Sequence, residues 1–420
     1  MGIDLGQAIK FNRLRANMTQ AELANGIISV SYLSKIENGT AEPPEEIIGL
    51  LGERLNMNAL DSTNAVTDQS IIRWFHHLLR VNIDESIRLY NKIKNNLING
   101  YDKKLTTLVD IHKLYYFVLI KDYKEAENVI VSLQKSSKKF SENEMYYYLN
   151  FLGCYHYSQM EYKKALDFFQ NAERYIHSDI FHKAEDIHNL YYLIGSSASK
   201  IRQTHLCLLY TLRALEYYQG KYELRRCAKC QILLGISYRR INNIDKAKES
   251  YGFAIKIAHK IDDNGILVLC YQNMGKLLSS IGESFESINH YLKSYELRKN
   301  QSIEKKLIPI SSLMNEYYKI GDLENAKTWM ELGLELSKSI DPLQSIHVYE
   351  FKVYEHLING INNSFESLIT KHIIPFYHEK QLVYEEANYT KLLAKYYFDN
   401  RKYKQAAIYY KALDNINSYF

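Results

Sequence analysis

Between residues 150 and 388 the chain returns, at matched positions, to one mixture of side chains: amides, phenols and cations, with few acids. The row begins with Asn150 and Tyr157, then Asn189, Tyr192, Ser196 and Lys200, then Lys229, Arg239 and Arg240. It continues through Gln272, Asn273 and Lys276, then Asn315, Tyr318 and Lys319, then Tyr349 and Lys352, and ends at Asn388. An asparagine side chain offers both a donor and an acceptor, so it can clamp an extended peptide backbone whatever side chains that peptide carries. Lysine and arginine in the same row would meet a C-terminal carboxylate or an aspartate of the ligand. Asn273 and Asn315 lie about one repeat apart and rank first as the clamp. Were the ligand a short linear peptide, this row is where it would lie.

Groups suited to catalysis are weaker. Cys227-Ala-Lys-Cys230 is a lone CxxC in a helical stretch, with no second pair or suitably spaced histidines to complete a zinc site. His76, His77, His112, His156, His182, His188 and His205 show no i,i+4 pairing with a glutamate base. There is no Gly-rich phosphate loop and no nucleophile elbow. Asp84-Glu85 and Glu385-Glu386 read as solvated helix surfaces, and Glu42, Glu45 and Glu46 open a helix whose dipole favours them. The sequence therefore predicts no enzyme, no metal and no cofactor.

What positions the peptide row is an internal repeat. Small residues recur at Ser86, Ala126, Ala165, Cys207, Ala247, Ser287, Ala326, Ser367 and Ala406, in steps of 40, 39, 42, 40, 40, 39, 41 and 39 residues. Each opens the second helix of a helix pair, where a small side chain lets two antiparallel helices approach closely. An aromatic four residues later, as at Phe169, Tyr251 and Tyr291, plugs the gap to the next pair. Such units bury a continuous core only as an array, and the first helix of each lines the concave face. With 5 Pro, 18 Gly and 37 Tyr among 420 residues, nearly every segment keeps a helical period, so the chain is expected to be all-α. No apolar run approaches the roughly 20 residues of a membrane span, and no basic-then-apolar leader precedes the chain. Five cysteines, an odd number, suit a reducing cytosol, so the expected location is cytoplasmic with no membrane partner.

The first 66 residues are a different object. Leu5 to Ala16 reads as an amphipathic helix with Ile9 and Leu14 inward and Lys10, Arg13 and Arg15 outward. Thr19 and Glu22 form a capping box for a second helix, Gly26 permits a tight turn, and Ser29 caps a third helix. Leu33 and Ile36 turn inward, Asn38-Gly39 ends that helix in a left-handed turn, and Glu45 to Leu55 forms a fourth. Two short helices joined by a Gly-containing turn inside such a bundle are what a helix-turn-helix requires.

Thr19-Gln20-x-Glu22-Leu23-Ala24 followed by Ser31-x-Leu33-Ser34-Lys35-Ile36-Glu37-Asn38-Gly39 resembles the phage-repressor (Cro/cI, XRE) class of DNA-binding domain, over roughly residues 5–60. That resemblance implies a third helix in the major groove of a double-stranded operator, with Gln20 and Asn38 on phosphates and Ser29 at the cap. Val30, Ser31 and Lys35 would then face base edges, with Tyr32 beside them. Lysine can donate to guanine O6 and N7, valine can touch a thymine methyl, and serine can go either way. Residues 1–66 hold five Lys/Arg against eight Asp/Glu, a net −3, so the remainder is +8 in a chain of +5. Phosphate neutralisation supplies much of DNA affinity, so one copy should bind weakly and a homodimer or higher oligomer should read two half-sites.

A head of this class before a tetratricopeptide (TPR) array resembles the RRNPP family of cytoplasmic peptide-pheromone receptors, most of all its longer NprR branch. The resemblance implies residues 1–60 as the helix-turn-helix domain, 61–69 as linker and 70–420 as a right-handed TPR solenoid of about nine helix pairs that senses peptide and oligomerises. It also implies a quorum-sensing transcription regulator, with ties to sporulation, switched by a short re-imported signalling peptide. Because the linker from Asp61 to Gln69 is short, a change of solenoid pitch would move two heads into or out of half-site spacing. Two relatives of that plan stand as alternatives. One is a Rap-like inhibitor that holds a response-regulator protein, and the other is a phage regulator of the arbitrium type.

Overall fold

A computed structural model of the chain describes residues 6, 9–10, 13–14, 16, 18–38, 40–41, 43–55, 70–94, 103–176, 183–341 and 345–417. Every regular element among them is a helix, as the periodicity predicts. The chain forms two compact units, Met1–Tyr155 and His156–Phe420.

The first unit opens with helices Gln20–Ala24, Val30–Glu37 and Glu45–Arg54 around Ile9, Leu23, Ala24, Leu33, Ile36 and Leu51. Much of the expected Leu5–Ala16 helix lies outside the described residues, and its described part reverses two assignments. Leu14 is 57% exposed, whereas Arg13 is buried at 7%. The reason is a buried acid: Arg13 donates from Nε to Glu37 Oε1 at 2.6 Å and from Nη2 to Glu37 Oε2 at 3.0 Å. Asn38 ends its helix at φ −94°, not in the left-handed region, and Gly39 lies outside the described residues, as does the whole 61–69 linker.

From residue 70 the helices come in pairs. In the first unit 70–79 precedes Ile83–Ile93, and Lys103–Leu119 precedes Tyr123–Ser136. Glu142–Ser158, which crosses into the second unit, precedes Tyr162–Glu173. The second unit continues with Lys183–Lys200 and Thr204–Gly220, Leu224–Arg240 and Ile244–Lys260, Asn264–Ser280 and Ser284–Glu296, and Ile303–Lys319 and Leu323–Ser337. Its last two pairs begin with Ile346–Asn359 and with Val383–Asp399, the latter followed by Tyr403–Asn417. Eight of the nine repeat markers are buried: Ser86, Ala126, Ala165, Cys207, Ala247, Ser287, Ala326 and Ala406. Ser367 is only half-buried. Its helix is interrupted, running Asn363–Leu368, then a π turn Ile369–Ile373, then Ile374–Glu379. Pro375 sits at the start of the last segment and has no N–H for an i→i−4 bond, so the backbone winds wider there while Phe365, Ile369 and Ile373 take the core places.

Two local devices recur among the pairs. The turn between helices holds one left-handed residue five positions before the marker: Val81, Lys121, Met160, Arg202, Asn242, Gly282, Gly321 and Arg401, all at φ between 57° and 85°. Only two are glycine, so this turn is paid for largely by the packing on either side of it. The second device is a glycine in the first helix set under the residue four after the marker. A Cβ on Gly235 would come within 2.4 Å of the Tyr251 ring, one on Gly275 within 2.5 Å of Tyr291, and one on Gly195 within 2.5 Å of Thr211 Oγ1. The ring also reaches the next pair, as expected: Tyr251 packs with Leu277, and Tyr291 with Leu313. Phenol hydroxyls tie neighbouring pairs at their margins, Tyr155 donating to Glu127 at 2.7 Å and Tyr210 to Glu173 at 2.6 Å, with Tyr157 and Ser196 sharing a 2.8 Å bond.

Gly235→Ala should therefore lose about 1–3 kcal/mol of stability through overpacking, because Tyr251 is fully buried and cannot swing away. In a double-mutant cycle by thermal denaturation, Tyr251→Leu should make the alanine nearly neutral. Equal losses in both backgrounds would show that the ring does not impose the glycine.

Candidate functional site

Two surfaces are assembled, one in each unit. In the head, the second helix opens with the complete capping box: Glu22 N donates to Thr19 Oγ1 at 3.2 Å, and Thr19 N to Glu22 Oε2 at 2.6 Å. Gly26 turns at φ +73°, and Ser29 Oγ accepts from Tyr32 N at 3.2 Å to start the third helix. On that helix Val30, Ser31 and Lys35 are exposed along one side, and Ser29 and Asn38 are exposed at its ends. Tyr32 is half-buried and packs on the head core. Gln20 is half-buried and committed: its Nε2 donates to Glu37 Oε2 at 2.6 Å. Burial pushes the Glu37 carboxyl up, but the hydrogen bonds from Arg13 and Gln20 and the Arg13 charge bring it below the usual carboxylate range. The network of Arg13, Gln20 and Glu37 thus locks the base of the exposed helix to its neighbours. Sequence reading missed Arg13 and Glu37 as a pair, since they lie 24 residues apart and each alone looks like surface.

The second surface lies in the second unit, which holds all of the amide- and cation-bearing row except Asn150. Lys200 and Lys276 are both exposed, and each lies within electrostatic reach of Arg240. Arg239 and Arg240 lie beside them, each with a buried Nε that lacks a protein partner, while Arg240 Nη1 donates to Ser199 O at 2.5 Å. Desolvation, with Arg239, Lys200 and Arg240 nearby, drops Lys276 to about 8; desolvation and the neighbouring arginines drop Arg240 to about 10. Lys229 is half-buried and lowered by the same cause.

The two top-ranked asparagines are already engaged. Asn315 Nδ2 donates to Glu350 Oε1 at 2.5 Å, and Asn273 Nδ2 folds back to Leu269 O at 2.8 Å. Gln272 is buried, donating to Ser312 Oγ at 2.7 Å and leaving its Oε1 without a partner. Lys319 donates to Ser279 O at 2.7 Å and pairs with Glu316 at 3.2 Å. Tyr318 stands edge-on to Tyr354, while Tyr157, Asn189, Tyr192 and Lys352 are half-buried. Four members of the row are in the interior: Tyr349 belongs to the core of the last pairs, and Asn150, Gln272 and Ser196 are buried as well. Counting positions identifies a helix face but not how far the neighbouring pair covers it.

The acids need the same correction. Glu385 is half-buried, facing Arg202, Arg240 and Lys200, and Glu386 accepts from His378 at 3.2 Å, so neither is a plain solvated surface. Glu350 is held by Ser311 at 2.5 Å, Asn315 and His347. His112 is buried against Phe75 and driven by desolvation to about 3. Cys227 and Cys230 are buried free thiols, both pushed up by burial, and His182 lies outside the described residues. No helix among the described residues is long and apolar enough to cross a membrane, and none of their His, Cys, Asp and Glu side chains cluster as metal ligands.

The Helix-turn-helix family description matches residues 9–60. Over 395 residues the chain is 34% identical to the transcriptional activator NprA of Geobacillus stearothermophilus, covering 93% of this chain and 97% of that protein. Among solved structures, NprR in complex with its cognate peptide NprX aligns at TM-score 0.70 and 20% identity, over 84% of this chain and 99% of that one. A Rap protein complexed with competence and sporulation factor aligns at 0.71 and 18% identity, over 84% and 98%. These last two likenesses are of fold.

The row's cations set a pH signature. Lys276 titrates near 8 in the folded chain against an ordinary 10.5, so between those values the unfolded chain binds more protons and stability rises with pH. Because Lys276 is exposed to solvent, which screens much of this penalty, Lys276→Met should raise the melting temperature at pH 7 by only about 1–2 °C, with the gain shrinking as pH approaches 10.5. A gain that is the same at both ends would mean the ammonium is fully hydrated.

Proposed function

The chain belongs to the RRNPP family of peptide-pheromone receptors, in the branch of NprR and NprA, and from that premise we propose how its two surfaces divide the work. It is a quorum-sensing transcription regulator. The head binds operator DNA through Val30, Ser31 and Lys35, and the lumen of the second unit holds a short signalling peptide. The observation that carries the reading is the exposed face of the capped Val30–Glu37 helix, held by the Arg13–Glu37 pair while Val30, Ser31 and Lys35 stay exposed.

Each part has a chemical task. Lys35 supplies the donor for a guanine edge, Val30 an apolar contact and Ser31 a hydroxyl of either polarity. Asn38 is placed at the helix end for a phosphate, whereas Gln20 would have to leave Glu37 to reach one, so its role is to brace the helix. The head's net charge of −3 over residues 1–66 favours two copies on two half-sites. In the lumen, Asn273 and Asn315 offer amides to a peptide backbone once released from Leu269 O and Glu350, and Lys200, Arg239, Arg240 and Lys276 offer charge. A peptide changes DNA binding only to the extent that it binds one conformation more tightly than the other. The domain limits 1–60, 61–69 and 70–420, the homodimer and the cytoplasmic location belong to this same reading.

Selection from a randomised duplex pool with the full chain should recover paired half-sites. Lys35→Ala should weaken the recovered duplex by about 1–3 kcal/mol and relax one position of each half-site, without moving the melting temperature. Unchanged affinity and specificity would remove the third helix as the reader.

A further inference from the structure

Within the second unit, the turn after Lys183–Lys200 touches the turn that opens Val383–Asp399. The Arg202 guanidinium lies over the Tyr384 ring, 3.1 Å from its centroid, and the two also share a hydrogen bond. Arg202 reaches it from a left-handed backbone, φ 61°. The pair is a wall between two cavities. One, of about 430 Å³, is lined by Lys163, Lys200, Arg202, His378, Tyr384 and Glu385 among others. The other, of about 600 Å³, is lined by Arg202, Arg240, Tyr384, Asn388, Lys391 and Asp414 among others.

Charge around that wall is unbalanced. Lys200, Arg202, Arg239, Arg240 and Lys276 lie within electrostatic reach of one another. Of the acids near them, Asp414 is exposed on the wall of the second cavity, and Glu350 is consumed by Ser311, Asn315 and His347. Glu385 faces Lys200, Arg202 and Arg240 but forms no ion pair with them among the described residues. Grouped cations away from bulk water are unfavourable unless an anion meets them directly. Glu385 meets them at a distance, and the Nε groups of Arg239 and Arg240 stay unpartnered.

We propose that the 381–386 turn is an internal plug, in which Glu385 stands in for a carboxylate of the lumen's ligand and an acidic peptide displaces it, parting Arg202 from Tyr384 and joining the two cavities. The proposal rests on the peptide-receptor reading above. A ligand carboxylate that hydrogen-bonds the arginines directly neutralises them better than a carboxylate held off by its own turn. The cation–π contact that closes the wall is weak enough to exchange.

The test uses the full chain and a random synthetic heptapeptide pool, with the retained fraction read by mass spectrometry. The wild type should retain peptides enriched in Asp and Glu over Lys and Arg. Glu385→Gln, nearly isosteric, should raise retention of the acidic fraction by about tenfold, the size of effect expected for losing one competing charge. Arg240→Gln should erase the enrichment, and Arg240→Lys should keep part of it, which separates charge from folding. Retention without acidic enrichment, or acidic retention unchanged or lowered in Glu385→Gln, overturns the plug and leaves the peptide reading standing. Retention of no peptide overturns both.

Discussion

Two antiparallel helices can lie close together only where one of them presents no side chain at the crossing. Here that absence is a glycine, and the space above it is filled from the partner helix sixteen residues on: Gly235 by Tyr251, Gly275 by Tyr291. The marker alanine or serine four residues before each ring keeps the other contact short. Because the spacing repeats, each pair has nearly the same register as the last. Residues on the same face of successive first helices therefore recur in phase.

Much of this was legible before any coordinates. The repeat, the capping box, the Ser29 cap and the exposure of Val30, Ser31 and Lys35 all follow from local spacing, which one helix can express by itself. What failed were contacts made between distant segments. Arg13 looks like a surface arginine until Glu37 is placed against it. Tyr349 occupies a lumen position by count, but the π turn at Ile369–Ile373 brings Phe376 against its ring. Glu385 looks like half of a solvated pair until the Arg202 turn, more than 180 residues earlier, is brought beside it. Periodicity reports a face; it carries no information about what covers that face.

Electrostatics divides the chain in a way that composition alone hides. The head is acidic overall, yet its Val30–Glu37 helix exposes Lys35 while its acid Glu37 is withdrawn and neutralised inside. The second unit does the reverse, grouping cations and leaving them short of counter-charge. One surface hides its wrong-signed charge, and the other keeps an excess in reserve.

The phenol ties between pairs, Tyr155 to Glu127, Tyr210 to Glu173 and Tyr157 to Ser196, have a mechanical meaning. A ring wedged over glycine behaves as a fixed bearing, since any displacement creates overlap or a void. A hydroxyl at the margin can trade its protein acceptor for water at little net free energy, so it behaves as a slipping contact. An array built from stiff bearings and slipping margins bends as a spring does, by many small rotations shared along its length. Strain imposed at one pair is then carried elastically to its neighbours, with no single hinge required.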